Sequence, residues 1–358
     1  MIKIIESECN LLDIKKSEDK ILKIIDLKRD NLDVNYLSEY LYLHSFKKKN
    51  KIIYFLYKDG REVFLNILLK SRVNINGFKD FFDLETPYGY GGPLCNSRNK
   101  IFLKKATYLF DDWCKKNFIL CQLTRFNPLL PNIKDLVLEK KKLIKIKKIA
   151  IYNLTKNKNN LLNYDSKTRN MIKRNLDNNI EFKLIDNNNY DINQLKIFKE
   201  NYLQSMLEKN ANEFYFFNED YFKKISILIK NKNAFIINAF KNNLIIAGAI
   251  FLYNHKMSYY HLSFQKKYPG IMNTIIYKSK QILYKKNKKY LILGGGNLIS
   301  DDDSLFKFKL KMSNMINFFY IETKVFNSKN YNKICKKLGV KSPKKLLFYR
   351  DYKRKNII

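Results

Sequence analysis

Histidine, tryptophan, glycine and proline are all scarce in this chain, and the scarcity excludes several chemistries. The 358 residues hold three histidines (His44, His255 and His261), and no H-E-x-x-H pair among them can grip a metal. Five cysteines (Cys9, Cys95, Cys114, Cys121 and Cys335) are odd in number, scattered, and never at C-x-x-C spacing. Neither a zinc site nor a disulfide framework is indicated, and a reducing compartment is expected. No G-x-S-x-G elbow or Walker loop is present, and no sustained heptad pattern marks a coiled-coil arm. No window approaches ~20 consecutive apolar residues, so no spanning helix is expected. Met1 to Asn10 carries Glu6 and Glu8 in place of an apolar leader core. The expectation is a soluble cytoplasmic protein.

Acidic residues are also few: 33 Asp and Glu face 69 Lys and Arg, a formal net charge of +36. Such a chain attracts polyanions, and nucleic acid, an anionic membrane surface and phosphorylated substrates all qualify as partners. The lysines are spread along the whole chain, however, with much Asn, Ile, Tyr and Phe, the bias of an AT-rich genome. Both origins of the charge stay open. With 46% hydrophobic residues, 25 Tyr and 26 Phe, the chain has material for one large or two medium cores.

The few glycines cluster where they matter. Tyr290 to Leu293 reads as a short buried strand ending on Gly294, Gly295 and Gly296. Asp301, Asp302, Asp303 and Ser304, all good helix N-caps, follow ahead of Leu305 and Phe306. A strand, a bare-backbone turn and a capped element often form a ligand site, because the turn presents N–H groups at the end of a sheet. An ordinary glycine turn is the alternative. By periodicity Phe306, Phe308, Leu310 and Met312, alternating with lysines, form a strand.

Along the chain, Lys51 to Tyr57 and Val63 to Leu69 flank an Asp-Gly turn and predict a hairpin. Thr86 to Pro93, T-P-Y-G-Y-G-G-P, excludes helix and central strand. Helices are expected at Phe102 to Asn117, at Ser166 to Asn179 (capped by Ser166), at Gln194 to Lys209, Asn218 to Ile229 and Ile271 to Lys285. Strands are expected at Phe118 to Leu123, Ile149 to Leu154, Ile180 to Ile185, Ala234 to Phe240, Leu244 to Tyr253 and Met257 to Phe264. The lysine-heavy Glu139 to Lys148 precedes the second of these strands, and the asparagine-rich Asn153 to Asn163 reads as a seam between two halves.

Several stretches together resemble the FemAB-like, BioF2-like branch of the GNAT acyltransferases. They are T-P-Y-G-Y-G-G-P (86–93), R-N-M-I-K-R-N (169–175), Y-L-Q-S-M (202–206), F-Y-F-F-N-E-D-Y-F (214–222), I-A-G-A-I-F-L (246–252), Y-Y-H-L-S (259–263), L-G-G-G (293–296) and D-D-S-L-F-K-F-K (302–309). The resemblance covers about 250 residues and weakens before residue 50 and after residue 330. It implies an α/β (α+β) fold of two tandem GNAT-like halves, residues 1–155 and 156–358, with mixed, mostly antiparallel sheets flanked by helices. It implies transfer of an acyl or aminoacyl group to an amine or hydroxyl of a cell-envelope saccharide or peptidoglycan-type precursor, nucleotide- or lipid-linked, held where the halves meet. Acyl-CoA or aminoacyl-tRNA would be the co-substrate, with no tightly bound cofactor and no metal. It also implies a short helix, not a strand, around Phe306 to Met312. One departure stands out: the expected pyrophosphate turn reads Q-K-K-Y-P-G-I-M-N (Gln265 to Asn273), with one glycine and a proline that lacks an N–H.

Acyl transfer needs a proton acceptor for the attacking group and stabilisation of the tetrahedral oxyanion. The resemblance puts Lys309 beside the site as the oxyanion or phosphate partner, against the plain reading of one more surface lysine. His261 is a general-base candidate and Asp302 an acceptor-orienting one; a packed strand histidine and a helix cap are their structural alternatives. Gln265, Gly270, Gly294, Gly295 and Gly296 would bind the donor. Tyr88, Tyr90, Gly91 and Gly92 in the loop, Arg169, Lys173 and Arg174 on a basic helix, and Tyr202 and Tyr215 would bind the acceptor. Packing loop, solvated helix face and plain core are the respective alternatives. A protein that keeps the fold, lacks catalysis and binds nucleic acid is the reading from another class.

Overall fold

The computed structural model describes residues 1–45, 51–131, 133–137, 143–155, 160–297 and 302–339. Asp301, residues 139–142 of the lysine-heavy stretch and part of the asparagine-rich seam lie outside them. In chain order the first elements are β1 (Ile2–Glu8), α1 (Leu11–Ile25), α2 (Ser38–His44), β2 (Lys51–Asp59), β3 (Glu62–Arg72), β4 (Phe82–Glu85), β5 (Leu94–Cys95) and α3 (Lys100–Lys116). Then come β6 (Ile119–Arg125), α4 (Ile133–Leu136), β7 (Leu143–Asn153), α5 (Ser166–Asp177), β8 (Glu181–Ile185), α6 (Ile192–Glu208) and α7 (Glu219–Lys230). The last are β9 (Ala234–Lys241), β10 (Leu244–Asn254), β11 (Met257–Gln265), α8 (Ile271–Lys285), β12 (Tyr290–Gly294), α9 (Ser304–Lys311), β13 (Met315–Val325) and α10 (Ser328–Lys337). Among the described residues no helix is long and apolar enough to cross a membrane.

One succession occurs twice. Strand, two helices, three strands, helix, strand, helix describes β1 to α4, with the two-residue β5 added, and again β8 to α9. The pairing repeats as well. In the first copy β1, β2, β3 and β4 are successive antiparallel neighbours and β4 runs parallel to β6. In the second, β8, β9, β10 and β11 are antiparallel and β11 runs parallel to β12. The strand that follows each copy goes to the other: β7 pairs antiparallel with β12, and β13 with β6. Two compact units result, neither continuous in sequence. Unit 1 comprises Met1–Lys28, His44–Ile146 and Phe318–Ile358, and unit 2 comprises Arg29–Leu43 and Lys147–Asn317. The architecture is mixed α/β with mostly antiparallel sheets, as expected from the sequence.

In unit 1 the hairpin forms around Gly60, whose φ of 54° suits glycine. Its apolar face (Ile53, Phe55, Phe64 and Leu68) packs on Phe102, Leu103, Ala106 and Phe110 of α3. In unit 2, Phe235, Ile237, Ala247, Ala249 and Phe251 from the sheet meet Ile271, Ile275 and Leu283 of α8. The segment from Arg29 is pinned to unit 2 by Asn254 Nδ2 donating to Leu32 O (2.8 Å) and by Tyr259 Oη donating to Asp33 Oδ2 (2.6 Å). One local expectation needs correction. Asp165, not Ser166, caps α5, because its carboxylate reaches Thr168 N at 2.9 Å. Residues 304–311 are helix, as the resemblance implied and against their alternation, because the Asp303 cap and burial of Phe306 and Lys309 on one face outweigh a short pattern.

Candidate active site

The parallel pair in unit 2 comes apart. β11 and β12 are in register only at Met257–Tyr290, Ser258–Leu291 and Tyr259–Ile292. Each strand then carries a bulge. On β11, Phe251 faces Tyr260 and Ile250 faces Leu262, leaving His261 as the extra residue. On β12 the register with β7 slips between Ile292 and Gly294, leaving Leu293 extra. A bulge bends and twists its strand, so the two diverge from here. β11 continues to Gln265 bonded to β10 alone, while β12 turns away at its glycines. The opening lies at the carboxyl ends of parallel strands, where α/β sheets bind ligands.

The β12 side of the opening is a compact polar cluster. Asp303 caps α9, with Oδ1 accepting from Phe306 N (2.8 Å) and Oδ2 from Asn297 N (3.0 Å). Gly296 lies so close that a Cβ there would meet Asp303 Oδ1 at 2.2 Å. The cap aims α9 so that Lys309 Nζ donates to Gly295 O at 2.7 Å. Lys147, from β7, donates to Gly296 O at 2.8 Å. Lys309 is only 9% exposed, and burial, reinforced by the charge of Lys147 and opposed by Asp303, lowers it to about 8. Burial lowers Lys147 as well. Asp302 stays outside this cluster, exposed and paired with Lys307 at 2.9 Å, and the capping carboxylate is its neighbour Asp303.

On the β11 side, His261 Nε2 and the Tyr221 hydroxyl share a hydrogen bond of 2.5 Å, and the two rings lie nearly parallel. Burial pushes His261 down to about 4, so it is neutral near pH 7 and a weak base there. Tyr221 in turn stacks on Phe217, with ring centroids 4.0 Å apart. Tyr202 belongs to the same aromatic stack and is core: its ring stacks on Phe198 and Phe217, and its hydroxyl donates to Tyr215 O at 2.9 Å. Tyr215 itself remains 37% exposed.

Gln265 ends β11 exposed, and Gly270 begins α8 in the left-handed region (φ 69°). A Cβ on Gly270 would lie 2.8 Å from Met171 Cβ of α5, so the glycine serves close packing of that helix. Tyr268 N and Ile271 N bond within the turn and Pro269 has no N–H, which removes three donors that a pyrophosphate could use. On α5, Arg169 Nη1 donates to Tyr164 O, whereas Lys173 and Arg174 are exposed.

Unit 1 has the same parallel junction, closed. Past Glu85 the chain stays on β6: Thr86 N donates to Leu123 O, Gly91 bridges Phe126, and Asn127 N donates to Gly91 O at 3.0 Å. A Cβ on Gly91 would press on Thr86, and one on Gly92 (φ 101°) would lie 2.8 Å from the Phe126 ring. Burial raises Tyr90, whose ring meets Phe319 edge-on, while Tyr88 keeps 37% of its surface. The glycine-proline loop thus occupies in unit 1 the place that is open in unit 2.

The sequence pointed to the glycine turn, to Asp303 among the helix caps after it, to Lys309 and to His261, and passed over Lys147 and Tyr221 as site residues. Nothing local singles out Lys147 among the 69 Lys and Arg residues of the chain.

No family model and no curated protein matches the sequence. Solved structures do. FemX superposes with a TM-score of 0.63 at 12% identity, over 79% of this chain and 90% of its own. L-PGS from Bacillus licheniformis gives 0.56 at 16% identity, over 90% and 93%. A tandem GNAT protein from the clavulanic acid biosynthesis pathway gives 0.51 at 5% identity, over 91% and 99%. At these identities the likeness is one of fold. In fold, the chain is similar to FemX, to L-PGS and to the tandem GNAT protein.

Proposed function

We propose that the protein is an acyltransferase that moves an acyl or aminoacyl group onto an amine or hydroxyl of a cell-envelope saccharide or peptidoglycan-type precursor. The observation that carries this reading is the opening between β11 and β12, flanked by a neutral histidine and a buried lysine cluster. The donor enters there, between strands whose free edge can bond an extended chain. Lys309 can donate to the oxyanion of the tetrahedral intermediate, and His261, neutral and bonded to Tyr221, lines the opposite side of the opening. Exposed Lys173 and Arg174 suit a phosphate-bearing substrate, and Tyr88 is the loop residue available to an acceptor.

The donor is the finer question. The turn before α8 has Pro269 in it and uses the amides of Tyr268 and Ile271 internally, a departure from a standard pyrophosphate cradle that keeps an aminoacyl ester such as aminoacyl-tRNA beside acyl-CoA as donor. A thermal-shift titration with acetyl-CoA, against ATP and 3′,5′-ADP as polyanion controls, separates the two. A ligand at ~100 times its dissociation constant adds about 2.7 kcal/mol. A midpoint rise specific to acetyl-CoA assigns a CoA donor; equal shifts direct the work to charged tRNA, followed as loss of the aminoacyl ester. With the donor in hand, Lys309→Met should lower turnover by about 10²-fold or more with the fold retained. Undiminished turnover refutes the assignment. Salt-sensitive RNA binding without any transfer would instead establish a nucleic-acid-binding protein on this fold.

A further inference from the structure

Two lysines, not one, grip the glycine turn of unit 2. Lys309 donates to Gly295 O and Lys147 to Gly296 O, the next carbonyl along the chain. Among the described residues the carboxylate beside them is Asp303, which already accepts two backbone N–H groups. Two ammonium groups and one carboxylate leave a positive excess around a side chain that is nine-tenths buried. Such a pair resists being doubly protonated, and the more buried member is the one that yields. We propose that Lys147 is a positioning residue whose charge beside the glycine turn makes Lys309 the proton carrier of this site and not a fixed cation.

The surroundings support this division. Burial is the largest influence on Lys309, Lys147 the next and Asp303 the opposing one. Lys147 faces it from β7, and Asp303 from the start of its own helix. Asp302 and Lys307 pair with each other on the exposed side, and Lys311 lies toward Asp165. A neutral Lys309 still donates one N–H to Gly295 O and keeps a lone pair for a proton. The chemistry rests on the acyl-transfer reading; the charge coupling does not. In transfer to an amine, the attacking nitrogen bonds to the acyl carbon, and the bond from that carbon to the donor's oxygen or sulfur breaks. The proton shed by the nitrogen passes to Lys309 Nζ, which returns it to the departing atom.

The test needs no substrate. Trace labelling with acetic anhydride between pH 6 and 10, read at the Lys309 peptide by mass spectrometry, gives the pH at which that amine loses its proton. In the native protein the curve should inflect near 8. Lys147→Met should move it up by about 0.5–1 pH unit, the order expected for the loss of one neighbouring charge. Lys147→Arg keeps the charge and should leave it in place, and Asp303→Asn, still a good cap, should move it down. Should Lys147→Met fail to fold, Lys147→Gln removes the charge and can still donate to Gly296 O. An unmoved inflection in the uncharged variants overturns the proposal, as does an Arg variant that behaves like the uncharged ones. Failure of Lys309 to label at any pH also overturns it, since an amine closed to a small reagent cannot serve a substrate. If the shifts appear and no acyl group is ever transferred, the coupling stands and the acyl-transfer reading falls.

Discussion

Replacing Gly296 by alanine should damage unit 2 through one identifiable contact. The new Cβ would sit 2.2 Å from Asp303 Oδ1, 2.4 Å from Cγ and 2.9 Å from Cβ. Relief needs a movement of about 1 Å or more, since carbon contacts settle near 3.5 Å. Asp303 can leave, surrendering its bonds to Phe306 N and Asn297 N, or the turn can move and release the carbonyls held by Lys147 and Lys309. Either route should cost about 2–3 kcal/mol, the range for overpacking or a lost cap. Asp303→Gly alone should cost about 0.5–1.5 kcal/mol, because glycine is a tolerable cap and Asn297 N loses its acceptor. In the double variant the clash has no second atom, so its total should stay near that of Asp303→Gly. The coupling in the cycle is then at least about 1 kcal/mol. Urea unfolding followed by circular dichroism is the assay, with equal slopes as the condition for comparing midpoints. Tryptophan fluorescence will not serve, because the lone tryptophan, Trp113, lies on α3 of unit 1. Additive single costs would refute the account of the turn.

Two further outcomes follow from the same geometry. His261 falls from 6.5 in the unfolded chain to about 4 in the fold, so between those values the unfolded state binds the extra proton and stability rises with pH. His261→Gln, which can still bond Tyr221, should remove up to about 3 kcal/mol of stability change between pH 4 and 6.5, read as a flatter profile of urea midpoints; an unchanged profile would contradict the burial of that ring. In unit 1, Gly92→Ala combines a φ of 101° with a Cβ 2.8 Å from the Phe126 ring. It should cost about 2–4 kcal/mol and lower the fluorescence midpoint of Trp113, whereas Gly60→Ala, with nothing within 4 Å of its Cβ, should cost only the backbone strain.

The sequence by itself determined the local units. Apolar runs around an Asp-Gly turn, the three strands from Ala234 to Gln265 and the helix from Ile271 to Lys285 form where expected, because period, turn chemistry and caps act over a few residues. Quoted stretches in a consistent order also made the two-half α/β plan legible. The site was half legible, since bare glycines and a lysine-bearing segment are local signals. What the tertiary structure decided are the relations between distant residues. Bonds from Asn254 and Tyr259 hold Arg29–Leu43 in unit 2 and the pairing of β13 with β6 takes the chain from Phe318 to unit 1, where the sequence suggested one cut near residue 155. The bulges at His261 and Leu293 open one parallel junction while Thr86 to Gly91 seals the other. Lys147 becomes a site residue only because β7 pairs with β12, some 140 residues away in sequence, and brings its ammonium to the carbonyl of Gly296. Strand exchange, bulge and paired charge are long-range free-energy choices, and no window of the chain contains both partners.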